Sequence, residues 1–258
     1  MKTCAVFWKH FNIRGDNRIF PCCRYKKPVE TFRGDLEEIL NSEAYQHLRQ
    51  SDVSTMPECA KCMYEEDNGI TSARQKFNKQ LNTDTVGLEY LEIGFDNICN
   101  LTCDGCYPEF SSTWSKKLNP DQHKSFHYTS INEITAIPNT VNKIMFLGGE
   151  PLMTSRHKKM LEMIETPNQV KITYNTNGTF LLDDDLINIL KQFKYVHFIV
   201  SIDGYKELNQ KVRSGTKWRD VEAFIQQIQE NRFAMSVNSV LHINNWHGIL
   251  DLEAFVRT

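Results

Sequence analysis

Past residue 80 the chain alternates short apolar runs with longer stretches in which apolar residues return every three or four positions. The short runs, at about Tyr90–Phe95, Lys143–Leu147, Val170–Tyr174, His197–Ile202 and Ala234–Leu241, read as strands. Helical spacing is clearest over Arg156–Glu165, Asp183–Phe193 and Trp218–Gln229. Strand followed by helix, repeated, predicts an α/β fold with a parallel sheet and right-handed crossovers. The pattern fits a doubly wound sheet and a barrel equally well. Before residue 80 it changes. Gly15, Pro21, Pro28, Gly34 and Pro57 break the chain into irregular pieces. One helix is expected there, Asp35 to Arg49, on the stripe Leu36, Ile39, Leu40, Tyr45 and Leu48. The division is therefore a small irregular module over 1–80 and an α/β domain over 81–258.

A chain of 258 residues can bury a sizeable core. Lys and Arg number 30 against 32 Asp and Glu, so neither a basic stripe for nucleic acid nor an acidic tail is implied. No apolar run approaches the ~20 residues of a membrane span. Met1 to Arg14 lacks the apolar core and small-residue cleavage site of a signal peptide. A cytoplasmic protein without nucleic-acid or membrane partners is the expectation. Eight cysteines in a reducing compartment point to metal or redox use rather than disulfides. Cys4, Cys22, Cys23, Cys59 and Cys62 stand in the first quarter, Cys99, Cys103 and Cys106 follow, and none lies beyond.

The run Cys99-Asn100-Leu101-Thr102-Cys103-Asp104-Gly105-Cys106 places three thiols at C-x3-C-x2-C behind the first long strand. Cysteines so spaced can hold three corners of a four-iron cluster and leave the fourth iron open to a small molecule. A structural zinc site normally takes four ligands, and no fourth cysteine lies near. Buried unpaired thiols acting as small hydrophobes are the other ordinary reading. One βα unit later comes Gly148-Gly149-Glu150-Pro151, and a later strand ends in Ser201-Ile202-Asp203-Gly204. With these motifs the chain resembles the radical S-adenosylmethionine (SAM) enzymes, over nearly its whole length and most strongly from Tyr90 to Arg213. The resemblance implies a partial (β/α)6 barrel and a [4Fe-4S] cluster on Cys99, Cys103 and Cys106 whose open iron chelates SAM. Five strands are counted where that barrel has six, so the expectation is a chain truncated after its fifth strand or an unusually short barrel.

The same resemblance has Gly148, Gly149, Glu150 and Pro151 receive the SAM amino group. Glycines at a strand's carboxyl end let a ligand approach the backbone. Ser201 and Asp203 fall on one side of their strand by alternation, and the resemblance gives them the ribose hydroxyls. Arg213 could clamp the SAM carboxylate with two parallel hydrogen bonds, with Arg219 as a nearby competitor. Asn177 is expected to line the SAM or substrate side. Taken singly, the glycine motif and the residues at strand ends also read as ordinary turns. Gly105 stands where many relatives carry an aromatic residue near the adenine, which leaves the role of Tyr107 open. No residue beyond the cluster ligands is assigned a catalytic role.

Cys4, Phe7-Trp8, Gly15, Pro21-Cys22-Cys23 and Cys59-Ala60-Lys61-Cys62 resemble a SPASM or twitch auxiliary-cluster module, here placed before the barrel. Pro108 to Trp114 also resembles twitch-containing members. The implied second [4Fe-4S] cluster would use Cys4, Cys22, Cys59 and Cys62, with Cys23 spare. A four-cysteine zinc site is equally served by Cys59-x2-Cys62. The activity implied is reductive cleavage of SAM to a 5′-deoxyadenosyl radical, which takes hydrogen from a substrate. An oxidative modification of a peptide is the expected outcome, with flavodoxin or ferredoxin as reductant. A non-catalytic iron–sulfur or zinc protein for electron transfer or assembly would explain the cysteines but not the strand-end motifs.

Overall fold

The computed structural model describes residues 1–118, 120, 134 and 136–257. Among them ten strands follow the chain: β1 (His10–Ile13), β2 (Arg18–Phe20), β3 (Glu30–Thr31), β4 (Tyr90–Gly94), β5 (Thr102–Cys103), β6 (Lys143–Leu147), β7 (Lys171–Thr176), β8 (Tyr195–Ser201), β9 (Arg213–Ser214) and β10 (Ala234–Asn238). Eight form one sheet in the order β10-β8-β7-β6-β4-β1-β2-β3, while β5 and β9 pair separately. From β10 to β1 all neighbours run parallel, and β2 and β3 return antiparallel.

The five expected strands are present as β4, β6, β7, β8 and β10. A sixth parallel strand comes from the opposite end of the chain. β1, inside the segment expected to be irregular, pairs with β4 from His10↔Tyr90 to Ile13↔Ile93. The sheet that the pattern leaves one unit short beyond β10 is thus extended at its other edge. Four residues are too few to show a period, but pairing with them satisfies the backbone groups along the free side of β4.

The helix expected from Asp35 to Arg49 is two helices, Leu36–Leu40 and Glu43–Gln50. Ser42 parts them, its side chain accepting from the Tyr45 N–H to start the second. Arg49 donates to the Leu40 carbonyl at the end of the first (2.8 Å). The apolar stripe runs on across the break because Leu36, Ile39, Leu40, Tyr45 and Leu48 are all buried in the same core.

Alternation gives the parallel strands two unlike faces. Leu91, Ile93, Ile144, Phe146, Tyr174 and Phe198 turn to the helix-covered face and are buried. There the rings of Phe146, Tyr174, Phe198 and then Phe224, on the helix Trp218–Glu230, follow one another at 4.9, 5.2 and 5.6 Å. The other face carries Asn12, Glu92, Thr173, Asn175 and His197, and the cavities open beside it.

Candidate functional site

Beyond β4 the chain passes the carboxyl end of the sheet and reaches the first thiol at Cys99. The glycine motif is laced to this passage. Gly149 N–H donates to Asp96 O (3.0 Å) and Glu150 N–H to Ile98 O (2.6 Å). A Cβ on Gly149 would stand 2.2 Å from the Ile98 carbonyl oxygen. One on Gly148, whose φ is +118°, would stand 2.8 Å from that of Asp96. Both positions therefore require glycine. From the other side the helix Ser112–Leu118 grips the loop. Ser112 Oγ accepts from Cys99 N–H (3.2 Å), the Thr113 hydroxyl donates to Cys99 O, and Trp114 Nε1–H donates to Cys103 O (2.9 Å). β5 pairs with β9 so that Cys103 faces Arg213 in register.

The outcome is one cavity of about 210 Å³ lined by Cys99, Cys103, Cys106, Gly148, Gly149, Asn177, Ser201, Asp203 and Arg213. Glu150 and Pro151 do not line it. Glu150 is buried, and its carboxylate accepts from Leu152 N–H (3.1 Å), the Thr176 hydroxyl (2.7 Å) and Asn177 N–H (2.6 Å). Burial nevertheless lifts its pKa to about 6, with the hydrogen bonds acting in the opposite direction. Pro151 opens the short 3₁₀ turn Pro151–Met153. Asn177 donates to Asn100 Oδ1 (2.9 Å), and Asn100 donates to Thr179 Oγ1 (3.1 Å), tying the thiol loop to the end of β7.

Asp203 and Arg213 are paired. Arg213 Nη1 lies 2.8 Å from Asp203 Oδ2, and Val240 N–H donates to Asp203 Oδ1 (2.8 Å). Burial works against the Arg213 charge, but the fields of Cys103 and Asp203 hold the guanidinium protonated. Its Nε is buried with no hydrogen-bond partner. Burial pushes Cys99 to about 12 and Cys103 to about 11, with neighbouring thiols adding to the rise and Arg213 drawing Cys103 down. Thiols held neutral by burial and converging beside a cation suit a metal cluster, whose binding displaces their protons. The unpaired Nε of Arg213 suits a carboxylate. The residues present thus fit both a cluster and an amino-acid ligand.

A larger cavity, about 750 Å³, adjoins the first and shares Phe110, Gly148 and Asn175 with it. Its far wall, Asn12 to Asp16 with Arg18 and Cys23, comes from the N-terminal segment. Arg18 Nη2 bridges to Glu109 Oε1 at 2.8 Å. Sequence reasoning missed Asn175, whose Oδ1 is buried without a partner at the seam of the two cavities. Alternation along β7 was the one available signal, because it sets Asn175 on the same face as Thr173.

In the N-terminal module Cys4 and Cys62 are buried, Cys22 and Cys59 half-buried and Cys23 exposed. Burial lifts Cys4 and Cys22 to about 12, and Cys59 to about 11. The fields of Cys23 and Cys4 reach Cys22, those of Cys59 and Cys62 reach Cys4, and that of Cys62 reaches Cys23, so all five thiols share one neighbourhood. Arg24 Nη1 lies 3.9 Å from Cys62 Sγ, and the Arg74 charge acts on Cys4 and Cys59. Cys59 precedes the helix Ala60–Asp67 and Cys62 stands in its first turn. Among the described residues no three His, Cys, Asp or Glu side chains close around a single-ion site.

Comparison with known proteins places these features. The family model of the radical SAM superfamily matches residues 94–256, and that of SPASM, an iron–sulfur cluster-binding domain, matches residues 4–63. GTP 3′,8-cyclase from Clostridium botulinum is 25% identical over 146 residues, 56% of this chain and 43% of that protein. The Aquifex aeolicus GTP 3′,8-cyclase is 29% identical over 178 residues, 66% of this chain and 53% of that protein. Fe-coproporphyrin III synthase from Methanosarcina barkeri is 30% identical over 118 residues, 45% of this chain and 27% of that protein. The chain spans about half the length, or less, of these curated relatives. Among solved structures, Streptococcus suis SuiB bound to S-adenosylmethionine aligns over 86% of this chain and 46% of its own, with TM-score 0.45 and 19% identity. Native anSMEcpe with bound AdoMet aligns over 65% of this chain and 50% of its own, with TM-score 0.45 and 20% identity.

Proposed function

Because this chain belongs to the radical SAM superfamily, we infer that Cys99, Cys103 and Cys106 hold a [4Fe-4S] cluster and that the cavity beside them takes SAM. The observation that carries this reading is the convergence of three thiols, Gly148, Gly149, Asn177, Ser201, Asp203 and Arg213 on one small cavity. Bound together there, cluster and SAM supply a 5′-deoxyadenosyl radical able to take hydrogen from an unactivated C–H bond.

The chain's own part is to bind, orient and exclude water. Arg213 sets positive charge beside Cys99 and Cys103, which favours their thiolates, and its free Nε is available to the SAM carboxylate. Asp203 accepts one hydrogen bond on each oxygen and keeps lone pairs for a ribose hydroxyl, with Ser201 beside it in the cavity. Gly148 and Gly149 bring bare backbone to the SAM amino group. Glu150 acts indirectly, by holding that turn to Thr176 and Asn177; Pro151 fixes the turn that follows.

For the N-terminal module, residues 1–80, we propose a second [4Fe-4S] cluster on Cys4, Cys22, Cys59 and Cys62 rather than zinc. The SPASM match over 4–63 supports it. Cys23 faces the larger cavity instead. Residues 81–258 form the proposed barrel domain, whose sheet β1 extends between β4 and β2. The proposed reaction is an oxidative modification of a peptide, with the second cluster as electron acceptor and flavodoxin or ferredoxin as reductant. The resemblance to SPASM and twitch proteins supports a peptide, and the cavity of about 750 Å³ beside the SAM site has room for one of its side chains. None of the described helices is long and apolar enough to cross a membrane. A cytoplasmic location is proposed on the cysteine content, which suits a reducing compartment.

The test is anaerobic purification, reconstitution with iron and sulfide, reduction with dithionite and assay of SAM for 5′-deoxyadenosine. Formation of 5′-deoxyadenosine that is lost in Cys103→Ala is the expected result. An iron-loaded protein that never cleaves SAM would be an electron carrier, and a protein that takes up zinc but no iron would sink the reading. Peptide and GTP substrates are then compared for faster 5′-deoxyadenosine formation.

A further inference from the structure

The sheet has a second mouth, at the amino ends of its strands. β4, β6, β7 and β8 begin there with Tyr90, Lys143, Lys171 and Tyr195, and the register sets these four in one row. All four line a cavity of about 970 Å³, and Lys194 joins them from the segment just before β8. Three ammonium groups therefore share a cavity whose described lining holds no carboxylate.

A few lysines are matched: Lys9 with Glu89, Lys27 with Glu58, Lys158 with Asp185. Among the described residues Lys143, Lys171 and Lys194 have no such partner within 4.0 Å. Lys143 and Lys171 are direct neighbours on adjacent strands, an arrangement that like charges disfavour. Burial lowers the Lys143 pKa, and the Lys171 charge adds to this against the pull of Glu92. Glu92, one row further in, is committed to Asn12 Nδ2 (2.6 Å) and to the Tyr90 hydroxyl (2.9 Å). Lys143 Nζ lies over the face of the Tyr90 ring, 4.0 Å from its centroid. Side-chain amides of Asn142, Asn168 and Gln169 add further donors to the same wall.

Converging cations and amide donors, with no carboxylate among the described lining residues, fit a ligand with many oxygens and high negative charge. We propose that this amino-end cavity is a binding site for a phosphate-bearing small molecule, separate from the SAM cavity. Along β7 the two lie about 7 Å apart at strand rise, Thr173 lining this cavity and Asn175 the other. The proposal does not depend on the radical SAM reading, because it concerns binding alone.

The experiment is isothermal titration of the reconstituted full chain, without SAM, using inorganic pyrophosphate at low salt. The expected result is one pyrophosphate per chain, bound more weakly as NaCl is added. Lys171→Gln should weaken binding about tenfold, the scale of one charge-assisted hydrogen bond. Lys171→Gln with Lys194→Gln should weaken it further. Both side chains are exposed, so the variants should melt with the wild type. Their 5′-deoxyadenosine formation should equal that of the parent. No binding by the parent overturns the proposal. So does binding that both lysine variants keep but Arg213→Met loses, since the anion would then sit in the SAM cavity.

Discussion

Alanine at Gly149 tests how the thiol loop is held. The added Cβ would lie 2.2 Å from the Ile98 carbonyl oxygen and 2.6 Å from the carbonyl carbons of Asn97 and Ile98. All three are backbone atoms, so no side chain can swing aside, and the loop must move by about 1 Å. That motion strips the bonds from Glu150 N–H to Ile98 O and from Gly149 N–H to Asp96 O. Each is worth about 1 kcal/mol net, and overpacking adds ~1–3 kcal/mol. The total, about 3–5 kcal/mol, is a large share of the ~5–15 kcal/mol that holds a domain together. At roughly 2–4 °C per kcal/mol the melting temperature should fall by about 10 °C. Cys99 follows Ile98 directly, so iron uptake at the triplet should fall with it. Gly105→Ala is the control within the same loop, because its Cβ would meet nothing within 4 Å. It should melt within ~0.5 kcal/mol of the parent and load iron normally. Thermal melting of the metal-free chain and iron per chain after reconstitution decide the matter. The reasoning fails if Gly149→Ala keeps the parental melting temperature and iron, or if Gly105→Ala is equally damaged.

Arg213→Met would leave Asp203 buried without its counter-charge, costing about 3–5 kcal/mol, and should weaken SAM binding more than tenfold by equilibrium dialysis. Adding Asp203→Asn should restore part of the melting temperature but not the SAM affinity. Cys59→Ser should reduce iron from about eight to about four per chain while 5′-deoxyadenosine still forms. If that variant loses zinc and no iron, the second cluster is disproved. His157 is buried against the Tyr174 hydroxyl (2.8 Å), and burial holds its pKa at about 4, below the ordinary 6.5. The unfolded chain thus binds a proton that the folded chain refuses, so stability is full above 6.5 and is lost as pH falls toward 4. Over that window the loss is about 3 kcal/mol, and urea unfolding of His157→Gln should show a shallower acid dependence than the parent.

The chain's order of strands and helices past residue 80 was legible because buried strands need continuous apolar runs and covering helices need a stripe, whatever else surrounds them. The thiol triplet and the Gly148-Gly149 turn were legible for a related reason. Close backbone approach and the metal ligation proposed for the triplet each admit very few residue types, so such patterns show in the letters themselves. What stayed hidden depends on partners distant in the chain. His10–Ile13 carries no period of its own, and only pairing with β4 on one side and β2 on the other makes it a strand. Glu150 sits in a motif that suggests ligand contact, yet Thr176 and Asn177 turn its carboxylate inward. Asn100, Thr113 and Trp114 look like loop residues until the fold sets them against Cys99, Cys103 and Asn177. Lys143, Lys171 and Lys194 stand far apart in the chain, and the register of β6 with β7 and the start of β8 gather them at one mouth. Local pattern and rare chemistry were thus determined by the sequence, while the convergence of side chains far apart in the chain was decided by sheet order and register, which no local spacing encodes.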